Sequence, residues 1–564
     1  MLESNVYIRL ISLTVLLTLS SLIWGQNKEG WIPPLDLPFA LSGTFGEPRS
    51  THFHLGVDIK TKGREGWEVK SVAPGYISRI RVSLGGYGKT VYINHPDQTT
   101  SVYAHLKKFN PTIEAYIKSV QYEKESYTLQ LFPKKGVFPI AAGEVIGYSG
   151  NTGSSLGPHL HFEIRDTKSQ KPLNPLLFKL PVKDNLRPHI QKLFLFYPQN
   201  NSTLTPSEAV LLQKVNDSSY QTPLVMSSGK IGLGLQMFDR QDLSYSKNGI
   251  YRAQIFVNGK TIAHYEFDQL DYSDSQKLFL IIDYPLFIKD RTKIQKMFFQ
   301  NHKPLTFIKF LSNEGVFNIE QGKSYQVKII VEDFSGNSSY IEMYIEGTNK
   351  EIPDKKLNGK LVEPQLDYFF SMDKKEVYFP KKTFFSKALL NIEEDADTLS
   401  IGPDLYPFNN PYEIRFEVNE KDSIRLKQTF IAKKSGKKLI YMATKIKEGQ
   451  WTTQPKEMGN FTLARDSIAP NISPTNFKAD QWLSKFKFIN FSITDDFSGI
   501  KSYRGTINGE WVLFEYEPKR NRLTYDLSDK LFDSAKYELR LEVEDQVGNK
   551  SIYETTFFRK NNLD

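Results

Sequence analysis

Two stretches far apart in the chain spell almost the same thing: VEDFSGNSS at 331–339 and VEDQVGNKS at 543–551. Upstream of each, GIYRAQIFVNGK at 249–260 and GIKSYRGTINGE at 499–510 place a Gly and an Asn-Gly pair at the same spacing. Asn258-Gly259 and Asn508-Gly509 sit between apolar alternating runs, the strongest short-range signal for a two-residue β-hairpin. An internal repeat of hairpins constrains the fold more than any other feature. It predicts two related β-sandwich modules, 187–350 and 471–560, on either side of a further β-rich unit, 351–470, of uncertain type. The density of strands and turn residues suggests immunoglobulin-like sandwiches on pattern alone.

Length and composition agree. A chain of 564 residues holds roughly three to five domains at about 100–200 residues each. Aromatic residues make up 13%, and the Phe, Tyr, Ile and Val content favours strands. The net charge of +9 is a mild bias over this length and shows no dense basic stripe, so nucleic acid is not an expected partner. With no cysteine, disulfide frameworks and thiolate metal sites are excluded.

The N-terminus carries an address. After Arg9, LISLTVLLTLSSLIW is apolar and short for a membrane-spanning helix, and GQNKEG then turns polar. This predicts a signal peptide over 1–26 and an exported protein of the periplasm or cell envelope, membrane-attached only if the segment stays uncleaved.

Residues 32–180 form the first domain expected after the signal, and six of the nine histidines fall there: His52, His54, His95, His105, His159 and His161. LPVKDNLRP, 180–188, reads as the linker that follows. In FHLGVDIK, 53–60, apolar Leu55, Val57 and Ile59 alternate with His54, Gly56 and Asp58. Fully extended, residues four apart lie about 13 Å from each other, so one ion can meet both His54 and Asp58 only if the chain bends, and Gly56 tolerates a bend. In GPHLHFEIRD, His159 and His161 share one face of a strand at about 6.6 Å. That spacing suits one metal ligand beside one proton-transfer group, with Phe162 and Ile164 facing a core. His105 follows the alternating Val102 and Ala104 in SVYAHLKKF.

Taken together, His54, Asp58, His105, His159 and His161 resemble the constellation of the lysostaphin/LytM-type zinc endopeptidases. HLGVDIKTK, VKSVAPGYISRI, GYGKTVYINHPDQTTSVYAHL and AAGEVIGYSGNTGSSLGPHLHFEIRD extend the resemblance over about residues 40–175. The resemblance implies a mainly β chain whose N-terminal domain is an antiparallel-sheet zinc peptidase, with Zn²⁺ on His54, Asp58 and His161 and catalytic roles for His105 and His159. Three ligands leave a fourth position for water, the open arrangement of a catalytic site. His159 is then the expected general base, and His105 the group that assists proton transfer or stabilises the oxyanion. There is no His-Glu-x-x-His helix, so a glutamate base is not implied.

The implied substrate is the peptide part of bacterial peptidoglycan, cut at its cross-links. A degenerate relative that activates another wall hydrolase, and a wall-binding scaffold, are the alternatives. The sandwich modules are expected to bind a glycan or protein partner, or to restrain the enzyme. The Gly- and Ser-rich loops 83–90 and 149–158 are expected to line a cleft for an extended peptide. An insertion, 110–135, reads as a helix capped by Asn110-Pro111, with Ile113, Ile117 and Val120 on one face, then a strand in SYTLQLF, a hairpin-like element expected to flank the cleft and either narrow the substrate range or only buttress the sheet.

Overall fold

Residues 41–173 wind into a nine-stranded, wholly antiparallel sheet. In the computed structural model, residues 31–198, 204–300, 304–349, 358–418, 420–447, 449–532 and 534–560 are described. The expected signal peptide, 1–26, lies outside them. Among the described residues no helix is long and apolar enough to cross a membrane.

Seven strands give the sheet its path: β1 (Leu41–Gly43), β2 (Val57–Lys60), β3 (Gly75–Val82), β4 (Lys89–Asn94), β5 (Thr99–Leu106), β6 (Leu129–Leu131) and β7 (His159–Asp166). Their spatial order is β1-β2-β7-β5-β4-β3-β6. The centre of the sheet is therefore β2, β7 and β5, the three strands that carry the sequence motifs. One face is apolar: Val57, Ile59, Leu160, Phe162 and Ile164 are fully buried in one core with Val69, Val72 and Ile146. The opposite face carries the polar residues.

The segment 110–135 is a helix, α1 (Pro111–Glu123), followed by β6. The Asn110 side chain accepts a hydrogen bond from the Ile113 amide at 2.9 Å, and Ile113 and Ile117 are buried as their spacing requires. Only Leu129–Leu131 of SYTLQLF is strand, and it pairs with β3 at the far edge of the sheet. The insertion buttresses that edge of the sheet.

Beyond residue 188 the chain is a succession of paired, mostly antiparallel sheets. Six- and eight-stranded sheets enclose one core between residues 189 and 347. Six and five strands follow over 360–465, around Trp451, and four and five strands over 471–558. Both Asn-Gly pairs have positive φ at each residue, 47° and 77° for Asn258-Gly259, 50° and 82° for Asn508-Gly509. This is the backbone of a type I′ turn, and each joins two paired strands.

The first of these modules is not a bystander to the N-terminal sheet. Phe45, Phe53 and Leu55, from the segment that carries His54, belong to the module's core. Phe53 is fully buried, with its ring centroid 5.2 Å from Phe307 and 6.0 Å from Phe267. Its amide donates to the Ser275 carbonyl at 3.0 Å, and its carbonyl accepts from Ser275 Oγ at 2.8 Å. The last module packs on the other side of the N-terminal domain. Lys89 Nζ lies 3.0 Å from Glu515 Oε2, Lys519 Nζ donates to the Asn151 carbonyl at 2.6 Å, and Trp511 meets Tyr122 edge-on at 5.3 Å. Lys118 with Asp529 and Arg504 with Glu125 add two ion pairs.

Candidate metal and catalytic centre

Strand register assembles the site. His161 on β7 is directly opposite Asp58 on β2, so both side chains emerge on the same face. His54 precedes β2, and the chain turns at Gly56 before the strand begins. Gly56 has no room for a side chain: a Cβ there would sit 2.4 Å from the Phe162 carbonyl oxygen. The bend thus draws the His54 backbone towards β7, and His54 Nε2 comes within 3.1 Å of Asp58 Oδ1 and 3.0 Å of His161 Nδ1. His161 Nδ1 is 2.9 Å from Asp58 Oδ1.

These three atoms form a triangle with sides of 2.9–3.1 Å. Tetrahedral ligands at about 2.0–2.2 Å from zinc stand about 3.3–3.6 Å apart, so a few tenths of an ångström of opening admits the ion. Two imidazoles and a carboxylate, all nine-tenths or more buried, are the donor set zinc prefers. The residues present fit the metal.

Each imidazole has one nitrogen tied to a fixed partner. His54 Nδ1 donates to the Thr44 carbonyl at 2.9 Å, which leaves the Nε2 lone pair facing Asp58. His161 Nε2 donates to Glu163 Oε1 at 2.8 Å. Glu163 is fully buried, takes a second hydrogen bond from the Tyr87 hydroxyl, and is held by Arg165 Nε at 2.7 Å. Such carboxylate–imidazole pairs fix the orientation of a metal-binding ring and raise its basicity. On the other flank, Arg49 Nη2 grips Asp58 Oδ2 at 2.7 Å, leaving Oδ1 for the triangle.

His159 and His105 line the same hollow. His159 Nδ1 donates to the Gly157 carbonyl at 2.8 Å, and its Nε2 is 3.4 Å from Asp58 Oδ1. His105 Nδ1 donates to the Thr152 carbonyl at 2.8 Å. The rings of His105 and His159 meet edge-on, with centroids 4.9 Å apart. Strict alternation along β5 would send His105 to the core face with Tyr103, since Ala104 pairs with His161. A register shift between β4 and β5, together with a left-handed backbone at His105 (φ 60°), turns the ring to the polar face instead.

Burial pushes His54 down to about 4, and burial with the charges of His161 and His159 pushes His105 down to about 3, so both rings are neutral at pH 7. Burial acts on His161 in the same direction, but its hydrogen bonds to Asp58 and Glu163 outweigh it and lift the ring to about 9 in the metal-free chain. Burial alone would raise both carboxyls. The imidazoles of His54, His159 and His161 around it instead hold Asp58 well below the usual range, and Arg165 with His161 holds Glu163 near 2.

All five residues singled out in the sequence meet here. His52 does not: it is exposed. His95 is held by the Pro74 carbonyl and Ser101 Oγ, away from the site. Sequence reasoning missed Glu163, Arg49, Thr44 and Tyr87. The i+2 spacing from His161 was the available signal for Glu163; the others depend on tertiary placement. The two Gly/Ser-rich loops bind each other. Gly86 N donates to Ser154 Oγ and Ser154 N to the Gly86 carbonyl, each at 2.8 Å, and a Cβ on Gly88 would lie 2.3 Å from Thr152 Oγ1. Their small residues serve this close approach, which in turn fixes Thr152 beneath His105.

Comparison with known proteins agrees with this geometry. Residues 52–122 and 134–175 match the family model described as Peptidase family M23. The N-terminal domain belongs to peptidase family M23. The gap in the match falls at the end of α1 and β6. A DD-carboxypeptidase/endopeptidase Mpg of Neisseria meningitidis serogroup B is 31% identical over 131 residues, 23% of this chain and 24% of that protein. An uncharacterized metalloprotease of Haemophilus influenzae is 33% identical over 128 residues, 23% and 21% of the two chains. Lysostaphin of Staphylococcus simulans is 31% identical over 111 residues, 20% and 17% of the two. The chain thus spans about a quarter or less of the length of each of these relatives. Residues 360–466 match a second family model, the Zu5-like domain, which gives a type to the β-rich unit between the two repeats.

Proposed function

We propose that this chain is an exported zinc-dependent endopeptidase that hydrolyses peptide cross-links of bacterial peptidoglycan. The observation that carries the reading is the way four imidazoles are tethered. His54, His105 and His159 each spend one N–H on a backbone carbonyl, and His161 spends one on Glu163; the opposite nitrogens of His54, His159 and His161 then lie 3.1, 3.4 and 2.9 Å from Asp58 Oδ1, with the His105 ring edge-on to His159. Structural histidines do not need four parallel tethers of this kind.

His54 Nε2, Asp58 Oδ1 and His161 Nδ1 would hold the ion. Bound zinc supplies a Lewis acid that acidifies a water and polarises a peptide carbonyl. His159, with its Nδ1–H spent on the Gly157 carbonyl, presents the Nε2 lone pair and would take the proton from the attacking water. His105 is also a proton acceptor at Nε2, because its Nδ1–H is spent on Thr152. It therefore serves proton transfer in the resting state and can steady an oxyanion only after gaining a proton. Thr152 and Gly157, through their carbonyls, keep both tautomers in place. The complete set of five residues weighs against a degenerate regulator.

The test is digestion of purified peptidoglycan by the zinc-loaded full chain, with muropeptides read by mass spectrometry. Cross-linked species should fall and their monomers rise. His159→Ala should keep its zinc and lose turnover. An unchanged muropeptide profile with the wild-type chain refutes the proposal.

A further inference from the structure

A second cluster of acidic side chains lies at the junction between the peptidase domain and the module that follows it. Asp184 comes from the linker, Asp239 from the end of the strand Gly229–Gln241, and Asp333 from the turn after Ser324–Glu332. One oxygen of each lies within 4.8 Å of the others. Asp239 is 3% exposed, and its Oδ1, though buried, has no hydrogen-bond partner. Gln241 Oε1 is another buried acceptor without a partner, and Asp184, Asp239 and Gln241 line one cavity of about 320 Å³. Among the described residues no Lys or Arg forms an ion pair with any of the three carboxylates.

An uncompensated buried carboxylate oxygen costs free energy unless it meets a proton donor or a cation. Three of them together are worse, since each disfavours ionisation of its neighbours. Burial and the charges of Asp184 and Asp333 push Asp239 up to about 9; burial and Asp333 push Asp184 up to about 7. Backbone and side-chain donors fix the orientation of two of the three carboxyls. Asp333 Oδ1 and Oδ2 are aligned by Asn337 N and Nδ2 at 2.9 and 2.8 Å, and Asp184 Oδ1 accepts from Leu186 N at 3.1 Å.

The internal repeat builds the same frame a second time. Asp466, Asp495 and Asp545 again place oxygens within 4.8 Å. Asn549 holds Asp545 as Asn337 holds Asp333, and Asp466 Oδ1 accepts from Ile468 N at 3.1 Å as Asp184 does from Leu186. Asn337 Nδ2 also reaches the Asp184 carbonyl at 3.2 Å, and Asn549 Nδ2 the Asp466 carbonyl at 3.1 Å. In the second copy Asp495 Oδ2 is satisfied by Phe497 N and Gly499 N. Among the described residues only the first copy leaves a buried oxygen of its central carboxylate bare.

We propose that Asp184, Asp239 and Asp333 form a calcium site that braces the junction behind the zinc site. The donors are all oxygens, with no imidazole or thiolate, which selects a hard cation, and the bare amide oxygen of Gln241 offers a further ligand of the kind calcium takes. The cavity is also lined by Thr44 and Gly249, which hydrogen-bond to each other, and the Thr44 carbonyl anchors His54. The ion would tie linker and module together where they support the first zinc ligand.

The experiment is isothermal titration of the zinc-loaded full chain with calcium chloride, paired with thermal melting. Saturable uptake is expected below about 1 mM, the upper range for extracellular modules. Asp239→Asn should bind one equivalent fewer and lose the calcium-dependent rise in melting temperature, with zinc content and circular dichroism unchanged. Asp184→Asn, at a half-exposed linker position, gives the same test if Asp239→Asn fails to fold. No calcium uptake by the wild-type chain, or full stoichiometry in both variants, overturns the proposal. A set of carboxyls that merely share protons predicts the first of those results, together with unchanged or raised stability in Asp239→Asn.

Discussion

Replacing Glu163 with Gln isolates the outer support of the metal site. The substitution preserves shape and removes a charge. At present Glu163 only accepts: Oε1 takes the His161 Nε2 proton and the Tyr87 hydroxyl, Oε2 takes Arg165. A glutamine must turn its NH₂ towards one of these donors. Facing Arg165, it leaves a buried guanidinium without its counter-charge; facing His161, it drives that ring to protonate at Nδ1 or to rotate. Either outcome makes His161 Nδ1 a poorer ligand. Losing a carboxylate behind a metal-binding imidazole costs about 10–100-fold in metal affinity, or about 1.4–2.7 kcal/mol. The Glu163 side chain is fully excluded from solvent, which places the expectation at the upper end. Competition with a fluorescent zinc chelator measures the affinity directly. Glu163→Gln should bind zinc close to 100-fold more weakly, while Tyr87→Phe, which keeps the carboxylate, should change it by less than tenfold. Equal affinity for wild type and Glu163→Gln refutes the reasoning, because the His161 geometry would then not depend on its partner.

Phe53→Ala removes the ring wedged between Phe267 and Phe307, and should cost about 3–5 kcal/mol, lowering both the melting temperature and zinc occupancy; a melting curve unchanged from wild type would count against the shared core. Zinc uptake should release protons. His161 is lifted to about 9 in the metal-free chain, so its protonated form stabilises that chain below pH 6.5, and the contribution fades as pH rises through 9. His54 and His105, pushed down to about 4 and 3, weaken the fold as pH falls below 6.5. Metal-free stability should therefore peak near pH 6.5, while zinc affinity climbs between pH 6.5 and 9 and then levels off; calorimetry at pH 7 in buffers of differing ionisation enthalpy should show about one proton released from His161. Trp511→Ala combined with Lys519→Ala should loosen the last module and speed amide exchange in residues 149–154, and identical exchange rates would show that this docking does not steady the loop.

Much of the site could be read from the chain because its chemistry is local. The His159–His161 spacing and the His54–Asp58 pair are visible in short stretches, and alternation alone put Phe162 and Ile164 on the apolar face. His105 was harder: simple periodicity points it inward, and only the register shift at β5 turns it out. Glu163 and Arg49 look like ordinary strand and loop charges until pairing places them behind His161 and Asp58. Phe53 reads as one apolar residue of an alternating run, and nothing nearby in sequence says that its core belongs to the next module. The Gly-rich loops advertise close approach without naming the partner, and part of that approach is to each other.

The buried amine of Lys89 has a consequence for what happens when the domains are separated. Burial would discharge it, and the Glu515 carboxylate outweighs that and keeps it charged. Glu515 stands 426 positions further along the chain. Without the last module the peptidase sheet would lack the carboxylate that matches this cation, at the root of the loop that packs beneath His105. The N-terminal domain expressed alone should therefore keep His54, Asp58 and His161 together while its Lys89 takes up solvent in place of a partner.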